Sequence, residues 1–257
     1  MNTLEHAIDY IEEHLDEELL PENIASSVGY SLYHLTRIFH SVIGEPIGSY
    51  IQKRRLSDSS RKLIYSKKRI LDIAIECGFS SSESYSRAFK LTYGMSPKEY
   101  RKNGIDLYTS SKKKLDKERL EHLVNSVSLQ PKIVHIEPIK IIGLRGTTSI
   151  HNNTLPEIWK TLLETYNPSK ANVRGFSVCE TDQTKTSITI NGDISFSVII
   201  GIETETFDKV PENMHTKTIS GGRYAVFTHK GIIQDLTKTY DYIFGSWSIF
   251  TKETLDN

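Results

Sequence analysis

Two stretches of this chain spell out the same local structure. IASSVGYSLYHLTRIFH runs from Ile24 to His40, and IAIECGFSSSESYSRAFK runs from Ile73 to Lys90. Ile24, Ala25, Gly29 and Ser31 recur 49 residues later as Ile73, Ala74, Gly78 and Ser80. Leu35, Arg37, Phe39, Gly44 and Tyr50 recur 50 residues later as Tyr85, Arg87, Phe89, Gly94 and Tyr100. The second copy therefore holds one extra residue, in its turn or at the start of its second helix. Each copy has the parts of a helix-turn-helix: a small alanine where two helices cross, and a glycine for which positive φ is cheap. An aromatic plug follows (Tyr30, Phe79), then serines able to cap the next helix (Ser31; Ser80–Ser82). One such corner is common in helical bundles. Two at a fixed spacing restrict the fold much more.

Helical periodicity sorts the faces of the second helix in each copy. Leu35, Ile38 and Phe39 point inward in the first, and Tyr85, Ala88 and Phe89 in the second. Tyr33, Thr36, Arg37 and His40 are left outward on one helix; Ser82, Glu83, Ser84, Ser86 and Arg87 are left outward on the other. Between the copies lies PIGSYIQKRRLSDSSRKLIYS, amphipathic and without internal proline. As a helix over Pro46–Ser66 it spans roughly 30 Å. Successive major-groove faces of B-DNA lie roughly 34 Å apart, so one chain can offer two reading helices to adjacent grooves, with slight bending of the duplex.

Charge agrees with that reading once it is mapped along the chain. The formal net charge is zero, but residues 1–22 hold eight acids and no Lys or Arg, whereas residues 23–105 hold fourteen Lys and Arg against six Asp and Glu. A local surplus of this size is the footprint expected for a phosphate partner. Lys53, Arg54, Arg55, Arg61, Lys62, Lys67, Lys68 and Arg69 are candidates for it. At the N-terminus, Leu4, Ala7, Ile8, Ile11 and Leu15 fall at helical spacing, predicting an amphipathic helix with an acidic outer face. Pro21 to Val28 is the next predicted helix, ended by Gly29.

Residues 106–130 mix charges densely and are expected to form an exposed linker with a short helix. Beyond Pro131 the pattern changes to short β-branched and aromatic runs: KIVHIEPIKIIGLRGTTS, RGFSVCET, ISFSVIIGIE and RYAVFTHKG. LPEIWKTLLETY and IIQDLTKTYDYIFGSW have helical spacing. VHIEPIKIIGLRG and KTISGGRYAVFTHKG each suggest strand, tight turn, strand, followed by a helix. The expected fold is therefore multidomain: an all-α N-terminal domain at 1–105 with two helix-turn-helix units joined by a long helix, a linker at 106–130, and an α+β domain with antiparallel sheet at 131–257.

Other chemistries find no motif. The nine histidines form no HExxH, so no metal is expected, and there is no GxSxG nucleophile elbow. Gly143–Gly146 and Gly221–Gly222 suggest hairpin turns rather than phosphate loops. Two cysteines outside any CxxC suit a reduced compartment. No apolar run approaches the roughly 18 residues that cross a bilayer, so no membrane partner is expected.

Residues 1–105 resemble the AraC/XylS-type transcription regulators, most specifically in the run GMSPKEYRK (Gly94–Lys102). The resemblance implies a bacterial, cytoplasmic, sequence-specific regulator of transcription, with activation the expected mode and RNA polymerase an expected partner. The partner it implies for the reading helices is double-stranded DNA. The outward residues Tyr33, Thr36, Arg37, His40, Ser82, Glu83, Ser84, Ser86 and Arg87 would then contact the duplex. Residues 131–257 resemble GyrI-like effector-binding domains, in RYAVFTHKG and TYDYIFGSW. That resemblance implies a small lipophilic or cationic effector, held by aromatics and an acid. Trp159, Tyr224, Phe227, Tyr240, Phe244 and Trp247 are the matching aromatics; Glu203 or Asp241 is the acid. It also implies two final strands, which this sequence lacks. No cofactor or catalysis is expected. A hydrolase or a protein-interaction module is the alternative for this half.

Overall fold

The computed structural model describes residues 2–104, 111–149, 152–166, 174–180, 186–188, 194–208 and 210–247. Eight helices come first: α1 (Asn2–Glu13), α2 (Pro21–Ser27), α3 (Leu32–Ile43), α4 (Ile47–Tyr65), α5 (Ile70–Glu76), α6 (Ser82–Tyr93), α7 (Pro97–Asn103) and α8 (Lys117–Asn125). Then come β1 (Lys132–Ile136), β2 (Ile139–Ser149), α9 (Leu155–Thr165), β3 (Gly175–Cys179), β4 (Thr186–Ile188) and β5 (Ile194–Thr204). β6 (His215–Ile219), β7 (Gly222–Val226) and α10 (Leu236–Tyr242) follow, with a π-helical turn over Ile243–Trp247. No described helix is long and apolar enough to cross a membrane.

The chain forms two compact units. One joins everything up to Pro131 to the segment that begins at Phe227; the other is Lys132–Val226. The helical unit has two hydrophobic cores. The first gathers Ile8 and Ile11 of α1, Ile24 of α2, Leu35 and Phe39 of α3, and Tyr50 of α4. The second gathers Ile73 of α5, Tyr85 and Phe89 of α6, and Tyr100 of α7 around Leu56 and Leu63 of α4. α4 thus belongs to both, its N-terminal half in one core and its C-terminal half in the other. Its buried Ser59 and Ser60 return their hydroxyls to the Leu56 and Ser57 carbonyls, so they pack closely with no polar group stranded.

The stretch expected as an exposed linker is built differently. Asp116 caps α8, and Leu115, Leu120 and Leu123 are buried in the first core. The dense charges around them concealed a narrow apolar stripe. The C-terminal segment behaves likewise: Tyr242 joins that core, with Phe227 and Trp247 packed against it.

The second unit contains a sheet in the order β3-β5-β2-β6, with β4 added to β5, and a separate pair β1-β7. All pairings are antiparallel. The two expected hairpins do not form. β1 pairs with β7 and β2 with β6, so each tight connection passes the chain from one sheet to the other. Gly221 does occupy such a connection, and Gly222 opens β7 opposite Ile136. Gly143 and Gly146 instead lie inside β2, where Gly143 faces Gly201 across the ladder. A Cβ on Gly143 would come 1.9 Å from the Ile200 carbonyl oxygen, which is why glycine stands there. α9 covers one sheet face through Leu162, Ile158 and Trp159 against Val198, Ile200 and Ile202.

Candidate nucleic-acid interface

Both helix-turn-helix corners are built in the same way. Ala25 and Ala74 are buried, and their carbonyls accept the Tyr30 and Phe79 amides at 2.9 and 3.0 Å. Gly29 and Gly78 sit at φ +70° and +71°, where a side chain would be strained. Ser31 caps α3 by accepting the His34 amide, and Ser81 caps α6 by accepting the Ser84 amide. Ser81 is therefore the partner of Ser31, and the extra residue of the second copy is in the turn. At an offset of 50, Tyr33, Thr36, Arg37 and His40 correspond to Glu83, Ser86, Arg87 and Lys90.

Those faces are open. Tyr33, Thr36, Arg37 and His40 are exposed on α3; Glu83, Arg87 and Lys90 are exposed on α6, with Ser82, Ser84 and Ser86 half-buried. The Arg37 guanidinium lies 6.0 Å from the Tyr33 ring centre, a cation–π contact that limits its wandering. Thr36 spends its proton on the Leu32 and Tyr33 carbonyls, leaving its methyl and lone pairs outward. Ser84 is engaged in the cap, donating to the Ser81 carbonyl at 2.9 Å. Lys90 was absent from the sequence candidates, although the offset that pairs Arg37 with Arg87 also pairs it with His40.

The basic surplus is mostly consumed inside the unit. Lys53 is buried against Glu45 at 2.8 Å, and burial pulls its ammonium down to about 8. Arg54 is clamped to Glu12 and to the Lys112 carbonyl, and Arg55 donates to the Leu15 and Gly78 carbonyls. Lys62 pairs with Asp58 and Lys68 with Glu76. Arg69 meets Asp72 at 2.8 Å but is 80% exposed, so that pair is weak and easily exchanged. Arg61 and Lys67 are exposed and belong to none of these pairs. The list of eight phosphate candidates is therefore shortened: the amphipathic α4 rotates Lys53, Arg54 and Arg55 into the packed face, where carboxylates and carbonyls receive them.

The proposed effector residues fall into separate groups. Trp159 donates from Nε1 to Ser177 at 3.0 Å, Tyr224 donates to the Ser220 carbonyl, and Glu203 is held by Arg174 through two 2.7 Å bonds. Arg174 keeps the Glu203 carboxyl below its usual range. These lie in the second unit. In the helical unit, Phe227 meets Trp247 edge-on at 5.0 Å, while Tyr240 and Phe244 are exposed and 6.0 Å apart. Asp241 reaches Arg119 at 3.5 Å, and burial raises its carboxyl. Glu180 escaped the sequence reading. Among the described residues it is the buried acid of the second unit, bonded by Arg145 twice at 3.1 Å and by Ser197 at 2.6 Å. It sits just beyond β3, where no periodicity marks it. Among the described residues no cluster of three His, Cys, Asp or Glu is arranged to hold a metal.

A helix-turn-helix domain model matches residues 24–103, and a GyrI-like small molecule binding domain model matches residues 129–249. The HTH-type transcriptional activator AarP of Providencia stuartii is 36% identical over 92 residues, covering 36% of this chain and 68% of the relative. The chain belongs to the AraC/XylS-type transcription regulators. The transcriptional regulator Rob of Salmonella typhimurium is 27% identical over 241 residues, which is 90% of this chain and 80% of Rob. Among solved structures, an AraC-type DNA-binding regulator from Chromobacterium violaceum is 29% identical, with a TM-score of 0.39, over 40% of this chain and 92% of that one. As an AraC/XylS-type protein, the chain is a DNA-binding transcription regulator carrying a GyrI-like small-molecule binding domain.

Proposed function

We propose that this regulator reads two adjacent major grooves as a single chain, activates transcription through RNA polymerase, and works in the cytoplasm without catalysing a reaction. The reading is carried by one observation: equivalent outward faces on α3 and α6, each fixed to an end of the same helix. α4 has 19 residues, about 28 Å at 1.5 Å per residue. Arg37 and Arg87 are suited to bidentate contact with guanine; Tyr33, Thr36, His40, Ser82, Glu83, Ser84 and Ser86 supply further contacts to bases or backbone. Arg61 and Lys67 face phosphates. DNA reading falls to residues 1–105 and effector binding to residues 131–257, although the segment from Phe227 packs in the same unit as the reading helices. A small lipophilic or cationic molecule taken up in the second unit by Trp159 and Tyr224, with Glu203 as counter-charge, or in the helical unit by Phe227, Tyr240, Phe244 and Trp247, would act by favouring one of two states.

The test is selection of bound duplex from a random library, followed by Arg37→Ala and Arg87→Ala. Each good bidentate contact discriminates by about 1–3 kcal/mol, so each variant should lose roughly 5- to 150-fold in preference at its own position. A library that yields no preferred sequence, or two silent variants, rejects the reading.

A further inference from the structure

The family model assigns residues 129–249 to small-molecule binding, yet the chain from Phe227 to Trp247 packs within the helical unit. It lands on the corner between α3 and α4. Gly44 ends α3 at φ +81°, and a Cβ there would come 2.6 Å from the Tyr242 hydroxyl. That hydroxyl donates to the Leu129 carbonyl at 2.7 Å. The next residue, Glu45, is 3% exposed. Its carboxylate takes Lys53 at 2.8 Å, Lys112 at 2.6 Å and the Ser246 hydroxyl at 3.2 Å. Lys53 also donates to the Ser246 carbonyl at 2.7 Å. A cavity of about 200 Å³ borders the same corner, lined in part by Gly44, Glu45, Tyr242 and Trp247.

The second copy has none of this. Gly94 ends α6 at φ +72°, and a Cβ there would meet nothing within 4 Å. At the offset of 50, Met95 stands where Glu45 is, and Asn103 where Lys53 is. A helical corner evidently folds without a buried carboxylate and two ammonium groups, whose desolvation is costly. What the polar cluster adds is dependence: the first corner has its full set of partners only while the C-terminal segment is seated.

We infer that Tyr242 and Ser246 are positioning residues for the first reading helix, so that the C-terminal segment sets the pose of α3, and with it the strength of reading at the half-site under α3, while leaving α6 alone. This rests on the assignment of α3 and α6 to separate half-sites. The cavity gives the segment room to shift.

The test uses the full chain and the duplex selected from a random library. Single base substitutions are made in each half-site, and the fold-loss in affinity is compared between wild type and the Tyr242→Phe/Ser246→Ala double variant, with Ser246→Ala alone as the milder form should the double variant not fold. Each half-site is assigned by its response to Arg37→Ala or Arg87→Ala. The expected result is a loss of discrimination of at least about threefold at the α3 half-site and less than about 1.5-fold at the α6 half-site. Hydrogen exchange should rise in α3 and not in α6. Folded variants that keep both penalties, or lose both equally, overturn the inference. A wild type that selects no sequence overturns the half-site reading and this inference with it.

Discussion

Arg54 grips Glu12 with two nitrogens, Nε to Oε1 at 2.7 Å and Nη2 to Oε2 at 2.8 Å, and so pins α1 to the middle of α4. The Tyr50 hydroxyl donates to the same Oε1 at 2.8 Å. Both partners are largely buried, Arg54 15% and Glu12 7% exposed. Removing one leaves a charge with no counter-ion in a poorly solvated place. Glu12→Gln or Arg54→Met should therefore destabilise by about 3–5 kcal/mol, and the double variant Glu12→Met/Arg54→Met by much less. Urea unfolding of the four proteins checks this.

The left-handed caps of α3 and α6 provide a matched pair. An alanine pays the left-handed strain of roughly 1–2 kcal/mol at either glycine. Only at Gly44 does its methyl also collide with Tyr242. Gly44→Ala should cost clearly more than Gly94→Ala, and adding Tyr242→Phe to Gly44→Ala should recover part of the difference. Thermal denaturation reads all three.

Acid should loosen the C-terminal segment. The Thr239 hydroxyl lies 2.8 Å from His122 Nε2 and 2.8 Å from His229 Nδ1, and His229 Nε2 faces the Ile232 carbonyl at 3.1 Å. That carbonyl can only accept, so neutral His229 carries its proton on Nε2. Thr239 then donates to Nδ1 and accepts from His122. Burial, then the neighbouring His229, hold the His122 pKa below its ordinary value; Asp235 opposes this and Lys238 adds to it. A histidine lowered in the folded state takes up its proton first when unfolded. The neutral form's contribution is complete above about pH 6.5 and is lost as pH falls from there toward the lower folded value, at up to about 1.4 kcal/mol per pH unit. His122→Gln should flatten the profile between pH 7 and 5.

Salt should separate two kinds of cation. Lys67 is exposed beyond the end of α4 and Arg37 is on the outward face of α3. Lys67→Ala should weaken binding about equally for all sequences and reduce the salt slope by about 1, whereas Arg37→Ala should change sequence preference. Titrations at several salt concentrations with two duplexes distinguish them.

Gly143 tests the sheet. A methyl cannot fit 1.9 Å from the Ile200 carbonyl, so Gly143→Ala must part β2 from β5. A loss above about 4 kcal/mol is expected, at the exceptional end for single substitutions. Hydrogen exchange should rise across both strands, and α4 should keep its protection.

The sequence alone determined the helical half: two corners, their turn glycines, the helix between them and the faces left outward. These features are local. A glycine at positive φ, a serine cap and a 3.6-residue apolar stripe each act within a few residues, and repetition removed the ambiguity that a single copy leaves. Tertiary structure decided what distant surfaces do to one another. β1 left β2 for β7, a partner whose alternation fits as well as that of its chain neighbour. Lys53 and Arg54 turned inward because Glu45 and Glu12 were waiting, and no periodicity announces that Arg54 meets a counter-ion 42 residues away. The Phe227–Trp247 segment, marked by its sequence as part of the effector half, found its partners on the first helix-turn-helix. Pairing and burial depend on which complementary surfaces meet, a property of the assembled chain and not of any window along it.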